Sequence, residues 1–396
     1  MKIVTDYNYY FTMSLSIKPI MHPDDTDKIR RLIFTRYLYV KDEVFYSLFI
    51  SILEKNVDEA LFWAYELYYS GYKNKLFEFV IKIFYDFYAA LNPSMERWLI
   101  TKLYFWCDSQ EDQIIGTIVH NIATRKCNMD YFILINYINE LRDYEMSEED
   151  IIKKVLDPLK HGYGFKNFIS IIMCKDNSEY ISKYNTLPKN IINKTQINIE
   201  SLIEILNMLD CDGTTIFNIT RSACCNKILN ILKGDTDKKV FISLTYNDIK
   251  IYKTLLATEG RARKILPKAY KYTIRYDGEG LFHFARCDIN SLKNEYYYHW
   301  LYHASFTPLW SNRITKYNAT VCHEKKDIIF ERDDDCEYFH QWFNYEPDEQ
   351  SKEVQDCAIH NFTGNVTWKD ICEKYNNNSI MESYDIIKFE KINYLL

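Results

Sequence analysis

Residues that interrupt helices are scarce in this 396-residue chain: it has 10 glycines and 8 prolines. Together they fall well below the ~12% those two residues usually contribute, and that scarcity favours helix. No run reaches 18 uncharged apolar residues, so no transmembrane helix is expected. The opening MKIVTDYNYYFTMSLSIKPIM lacks the apolar core of a secretory signal. Without such a signal the eleven cysteines read as reduced thiols rather than a disulfide framework. Triplets such as Asn193–Thr195 and Asn318–Thr320 then read as chance products of an Asn-rich chain. A net charge of −6 argues against a generic nucleic-acid coat. A glycine-rich phosphate loop, a G-x-S-x-G elbow and a cysteine with a base partner are all missing, and a non-enzymatic protein is expected.

What the chain does have is apolar and aromatic surface: 47% hydrophobic residues, with 34 Tyr and 23 Phe, well outside the disordered class. Its densest stretch, VDEALFWAYELYYSGYKNKLFEFVIKIFYDFYAALNP, runs from Val57 to Pro93. Val57, Ala60, Leu61, Ala64 and Leu67 recur at helical spacing, as do Leu76, Phe79, Val80, Ile83, Phe84 and Phe87. Two helices are therefore expected, with Ser70-Gly71 as the turn and Asn92-Pro93 as the stop. Aromatic residues also flank the first helix at Phe62, Trp63, Tyr65, Tyr68 and Tyr69. A pair this apolar needs a layer on each side.

Similar patterns precede and follow it. A helix carried by Ile29, Leu32, Ile33, Arg36 and Tyr37 is expected after the acidic start at Asp24, Asp25 and Asp27. Val44, Leu48, Ile52 and Leu53 carry the next. Ser94 is the expected cap of a helix through Trp98, Leu99, Leu103 and Trp106, and Ile114, Ile115, Ile118 and Val119 define another. Phe132, Ile133, Ile135 and Leu141 begin a fourth pair, whose partner starts at Ser147. First helices near 24, 57, 94 and 129 recur every roughly 35 residues, the interval of helical-hairpin solenoids. The expected fold is mainly α: a HEAT-like stack over 23–232, after an N-terminal arm at 1–22. The competing reading is an irregular helical bundle.

Further on, Phe165–Cys174 reads as a short helix and Lys183–Asn198 as loop. Ile199–Leu209 and Ser222–Leu232 resume the helical pattern. The style changes after Asp235, and 233–396 is expected to form a smaller α+β part. There Val240–Leu244 (VFISL) has β character, 270–286 reads as a β-hairpin, and Asp327–Phe330 as a strand. Helices are expected over Leu292–His303 and near 334–344, 349–360 and 368–375.

Four constellations could carry chemistry. Arg261, Arg263, Lys264, Lys268, Lys271 and Arg275, interleaved with Tyr270 and Tyr272, offer phosphate affinity and base stacking to single-stranded RNA or DNA. The same composition suits a solvated loop or a protected sheet edge. Cys336, His340, Cys357 and His360 form the best candidate zinc set, although no Cys-x2-4-Cys knuckle accompanies them and buried cysteines and capping histidines explain the residues as well. His299 and His303 have metalloprotease spacing, but Trp300 stands where the general base belongs, so a packed helix face is expected. Glu331, Asp333, Asp334, Asp335 and Glu337 form an acidic knot whose carboxylates diverge on any regular element.

Three segments, DEALFWAYELYYSGY with FYDFYAALNP, HWLYHASFTPLWSNRI and FNYEPDEQSKEVQ, resemble uncharacterised proteins of large cytoplasmic DNA viruses, mimivirus-like ones in particular. The resemblance brings no catalytic residues. It implies a protein of the host cytoplasm, working in the virus factory or packaged in the virion. Such viruses carry translation-factor homologues, and the middle domain of translation initiation factor 4 gamma is a HEAT-type stack of about this length. The docking motif of cap-binding partners, Tyr-x4-Leu-apolar, is approached by Tyr39-VKDE-Val44-Phe45 with valine for leucine. Expected, then, is a scaffold assembling protein partners on its helices, with a role in translation initiation as one form of it. An RNA- or DNA-binding protein and a virion component are the other readings.

Overall fold

A computed structural model describes residues 31–159, 163–187, 199–233, 239–253, 289–343, 347, 352 and 368–375. Among them the chain is mainly α-helical, a solenoid-like stack with a small two-stranded antiparallel sheet near the C-terminus. The helices are α1 (Lys41–Leu53), α2 (Val57–Tyr69), α3 (Lys73–Ile83), α4 (Pro93–Ser109), α5 (Gln113–Ala123), α6 (Asp130–Asp143), α7 (Glu148–Leu159), α8 (Tyr163–Ile172) and α9 (Asn177–Asn185). They continue as α10 (Ile199–Met208), α11 (Gly213–Lys233), α12 (Tyr246–Lys253), α13 (Ile289–Ala304) and α14 (Pro308–Lys316). Strands β1 (Ala319–Cys322) and β2 (Asp327–Phe330) pair with Thr320 opposite Ile329, and α15 (Asp333–Trp342) and α16 (Trp368–Tyr375) follow. No helix of the described residues is long and apolar enough to cross a membrane.

Every residue of α2 from Ala60 to Tyr68 is buried. A helix buried all round needs neighbours on every side. It has them in α1, α3, α5 and α12. Gly71 closes the α2–α3 turn at φ +98°, a left-handed conformation that glycine adopts without strain. A second hub is α11, which packs against α6, α8, α9, α10 and the turn at Phe84–Tyr88 that follows α3. It begins at Gly213, nine residues before the Ser222 expected from the pattern.

Between α3 and α4 the backbone widens into a π-helical turn over Phe84–Tyr88. Its carbonyls, and that of Ala89 just after it, find distant donors: Asn128 N–H at Phe87 O (2.6 Å), Asn226 Nδ2 at Tyr85 O and Asn230 Nδ2 at Ala89 O (3.3 Å). Asp86 on this turn accepts from Lys82 (2.8 Å) and Ser222 (2.9 Å), tying the turn and α3 to α11.

Several expectations are corrected. Residues 32–37 are not helical. Phe34 and Val40 form an isolated bridge instead, and Leu38 turns at φ +64°. The cause lies on α2: Arg36 N–H donates to Ser70 Oγ (2.9 Å) and Tyr37 N–H to Glu66 Oε1 (3.1 Å), so these donors never enter a helical ladder. Asn92, not Ser94, stands at the N-cap of α4, with Pro93 in the first turn. The Asn92 amide joins Tyr88 O (2.7 Å) to Lys126 O (2.9 Å). Helix α9 runs through Lys183 to Asn185, inside the expected loop. The expected arm (1–22), the helix start at 23–30, the hairpin at 270–286 and most of the helix near 349–360 lie outside the described residues. The boundary expected after residue 232 falls at the undescribed 234–238, and the described chain resumes at Lys239 in contact with α5.

Candidate functional site: a main-chain clamp on one helix

Helix α5 is apolar through Ile114, Ile115, Ile118, Val119 and Ile122, yet it carries Thr117 and Asn121 one turn apart, and Arg125 one turn further, just past its end. All three are buried. Buried polar groups need hydrogen-bond partners, and these find theirs in the backbone of Lys239–Leu244. Asn121 Oδ1 accepts from Ile242 N–H (3.0 Å) while its Nδ2 donates to Ile242 O (2.6 Å), a two-point grip on one residue's main chain. Thr117 Oγ1 accepts from Leu244 N–H (2.9 Å), and Arg125 Nη2 donates to Lys239 O (3.1 Å). One helical turn rises 5.4 Å, and two residues of extended chain span about 6.6 Å. The four-residue step from Thr117 to Asn121 therefore matches the two-residue step from Leu244 back to Ile242 in a segment running antiparallel to the helix, and the longer Arg125 side chain reaches three residues further back, to Lys239 O.

Side chains add one fixed contact. The Phe241 ring stacks on half-buried Trp98 of α4 (centroids 4.6 Å apart, 6° between planes), with the Arg125 guanidinium 4.5 Å from its centre on the cation side. Arg125 is held by its own bonds to Asn121 O (2.6 Å) and Oδ1 (3.2 Å). Asn121 Nδ2 also donates to Thr117 O (2.7 Å), so its amide is saturated and its orientation fixed. Val240–Leu244, read as β-capable, is thus laid on a helix, with no strand partner among the described residues.

After the segment, Asp248 accepts from Thr245 N–H and Oγ1 (2.7 Å each), and these bonds hold its carboxyl below the usual range. Helix α12 then covers the aromatic flank of α2. Tyr252 stacks on Tyr65 (5.1 Å, 14°), and Lys253 pairs with Asp112 (2.7 Å), which also takes the Tyr69 hydroxyl (3.0 Å). Burial raises the Tyr252 phenol to about 12. The Tyr65–Tyr69 surface is occupied by the chain itself.

The other expected sites fare differently. Arg261, Arg263, Lys264, Lys268, Tyr270, Lys271, Tyr272 and Arg275 all lie outside the described residues, as do Cys357 and His360. Cys336 and His340 share α15 at four-residue spacing. Burial raises the Cys336 thiol, and the His340 ring lies against Phe330 and Phe339. Among the described residues no third His, Cys, Asp or Glu joins them as a metal site. In the acidic knot, Asp335 is turned onto Arg332 (Nε 3.0 Å, Nη2 3.1 Å) and Asn318 (3.3 Å), and its neighbours occupy the first turn of α15, where the dipole favours them.

His299 and His303 serve packing. His299 Nδ1 lies 3.0 Å from Lys326 O, and Trp300 between them is buried. His303 sets Nδ1 against Leu32 O (3.2 Å) and Nε2 against Glu295 Oε2 (2.5 Å), with the Phe34 ring edge-on. Burial lowers the imidazole pKa from 6.5 against the pull of Glu295. Burial works upward on Glu295, but hydrogen bonds from Lys326 and His303 outweigh it and leave it below 4.5. Both folded-state values are depressed, so the folded chain binds fewer protons than the unfolded one. Their stabilisation is complete above 6.5 and is lost as pH falls. His303→Gln should therefore lose less melting temperature between pH 7 and pH 5 than the wild type in thermal scans. Equal losses would show that this histidine does not set the acid sensitivity.

The sequence pattern passed over Thr117, Asn121 and Arg125, and read Trp98 only as one of the residues carrying a helix. A signal was present, since three polar residues recur every fourth position beside an apolar helix face. Comparison with protein-family models, with curated proteins and with solved structures finds no match.

Proposed function

We propose that this chain is a non-enzymatic helical scaffold that holds protein partners by the main chain of an extended segment. The grip of Asn121 on both polar groups of Ile242 supports this reading most directly. Contacts of that kind recognise extended backbone whatever its side chains, and the slot between Trp98 and Arg125 adds a preference for one ring. Lys239–Thr245 occupies the clamp in cis, and a partner segment of similar form takes its place when it is displaced. The resemblance to proteins of large DNA viruses would set those partners in the cytoplasm of an infected cell or in a virion, with translation initiation as one such assembly.

Competition tests this. Phe241→Ala removes the ring from the slot and weakens the internal segment without touching the clamp. A labelled peptide of sequence KVFISLT is expected to bind this variant with a Kd of about 10–100 μM, and at least tenfold less tightly once Asn121→Ala is added. No binding to Phe241→Ala at about 1 mM peptide, the weakest affinity such a contact set allows, would overturn the reading.

A further inference from the structure

An extended chain points the N–H and C=O of alternate residues to opposite sides. Ile242 and Leu244 face α5, so Phe241 and Ser243 face away. Among the described residues, none of the four main-chain groups of Phe241 and Ser243 has a hydrogen-bond partner. The side chains around this edge are uncovered too: Val240 is 86% exposed and Ile242 48%. Natural edges are usually blunted by proline, an inward charge or a covering element. From Val240 to Leu244 there is neither proline nor charge. The helix clamps one side of the segment and thereby sets out the other side as a preformed template.

We propose that the occupant of this edge is the same edge of a second copy, added in antiparallel register about a two-fold axis through Ile242. In that register Phe241 of one copy and Ser243 of the other form hydrogen-bonded pairs, twice over, giving four main-chain bonds. Ile242 meets Ile242 of the second copy in the closer, non-hydrogen-bonded position, and Val240 lies across from Leu244. The self-pairing is isologous, so one edge supplies both halves of the interface. Charge selects the direction. Lys239 precedes the segment and Asp248 follows it, so antiparallel addition sets the basic end of each copy beside the acidic end of the other. Parallel addition would bring like charges together. Self-pairing does not rest on peptide exchange in the clamp but competes with it, because the outer edge exists only while the internal segment stays bound.

Sedimentation of the full chain is the test. A dimer at about 100 μM that dissociates on dilution to about 1 μM is expected, the affinity range of a short interface. Ser243→Pro deletes one outward N–H and leaves both Asn121 bonds in place. It should weaken self-association at least tenfold, since the ring also blocks the approaching strand. Ile242→Lys, which replaces a half-exposed side chain, should do the same by setting two like charges face to face, and serves if the proline variant misfolds. Ile242→Cys should cross-link two copies under mild oxidation, while the wild type with its native cysteines does not. A wild type that stays monomeric at about 100 μM overturns the proposal. So does a dimer unaffected by both Ser243→Pro and Ile242→Lys.

Discussion

Glu66→Ala is expected to lower the unfolding free energy by about 3–5 kcal/mol, the range for stranding one member of a buried ion pair. Glu66 and Arg36 meet at 2.7 Å with their side chains 0% and 1% exposed. Each is tied further. Glu66 accepts from Tyr37 N–H, Arg36 Nη1 donates to Tyr252 O (3.2 Å), and the guanidinium lies 4.5 Å and 5.0 Å from the Tyr37 and Tyr69 rings. Removing the carboxylate leaves a guanidinium without water or counter-ion, whereas removing both charges does not. Arg36→Met with Glu66→Gln, which keeps an acceptor for Tyr37, should therefore be more stable than Glu66→Ala alone. Denaturant unfolding decides it. A loss below about 1 kcal/mol, typical of an exposed pair, would mean that water reaches the site.

Gly71→Ala should cost about 3 kcal/mol, through two separable causes. A side chain at φ +98° is strained by roughly 1–2 kcal/mol. The added Cβ would also lie 2.6 Å from Pro308 Cβ, an overlap that costs a further 1–3 kcal/mol or forces α14 outward. Leu309 N–H donates to Ser70 O (3.2 Å) at the same contact, so displacement breaks a hydrogen bond as well. Pro308→Gly in the Gly71→Ala background should restore the part due to the clash and leave the part due to φ. If the two variants together are no more stable than Gly71→Ala alone, α14 does not rest on this turn.

Both predictions concern contacts that a local pattern cannot reveal. The helices of α1 to α8 were legible because each repeats apolar residues at helical spacing, and the Ser147 start of α7 was legible because Ser147 Oγ caps Asp150 N–H (3.2 Å) within one turn. Residues 32–37 have the same apolar rhythm, yet Glu66 and Ser70, some thirty positions away, take their backbone donors. The widened turn at Phe84–Tyr88 escaped for a related reason, since Asn226 compensates its Tyr85 carbonyl, and Asn230 that of Ala89 after it, from α11. The clamp is the extreme case. Asn121 and Ile242 are 121 residues apart, and neither shows its purpose without the other. What composition did indicate there was β character in VFISL, yet the segment joins no strand among the described residues and is held by a helix instead.

The widened turn at Phe84–Tyr88 amounts to a single-residue insertion in a helix. One residue is about 100° of helical rotation, so it resets the direction in which α3 hands the chain to the turn at Ala89–Leu91. The helical phase ends at that turn, and Asn92 sets the start of α4 afresh through its bonds to Tyr88 O and Lys126 O. Trp98, on the second turn of α4, therefore takes its bearing from a corner amide that also holds the residue next to Arg125. One side chain thus aligns both helices that meet at Phe241.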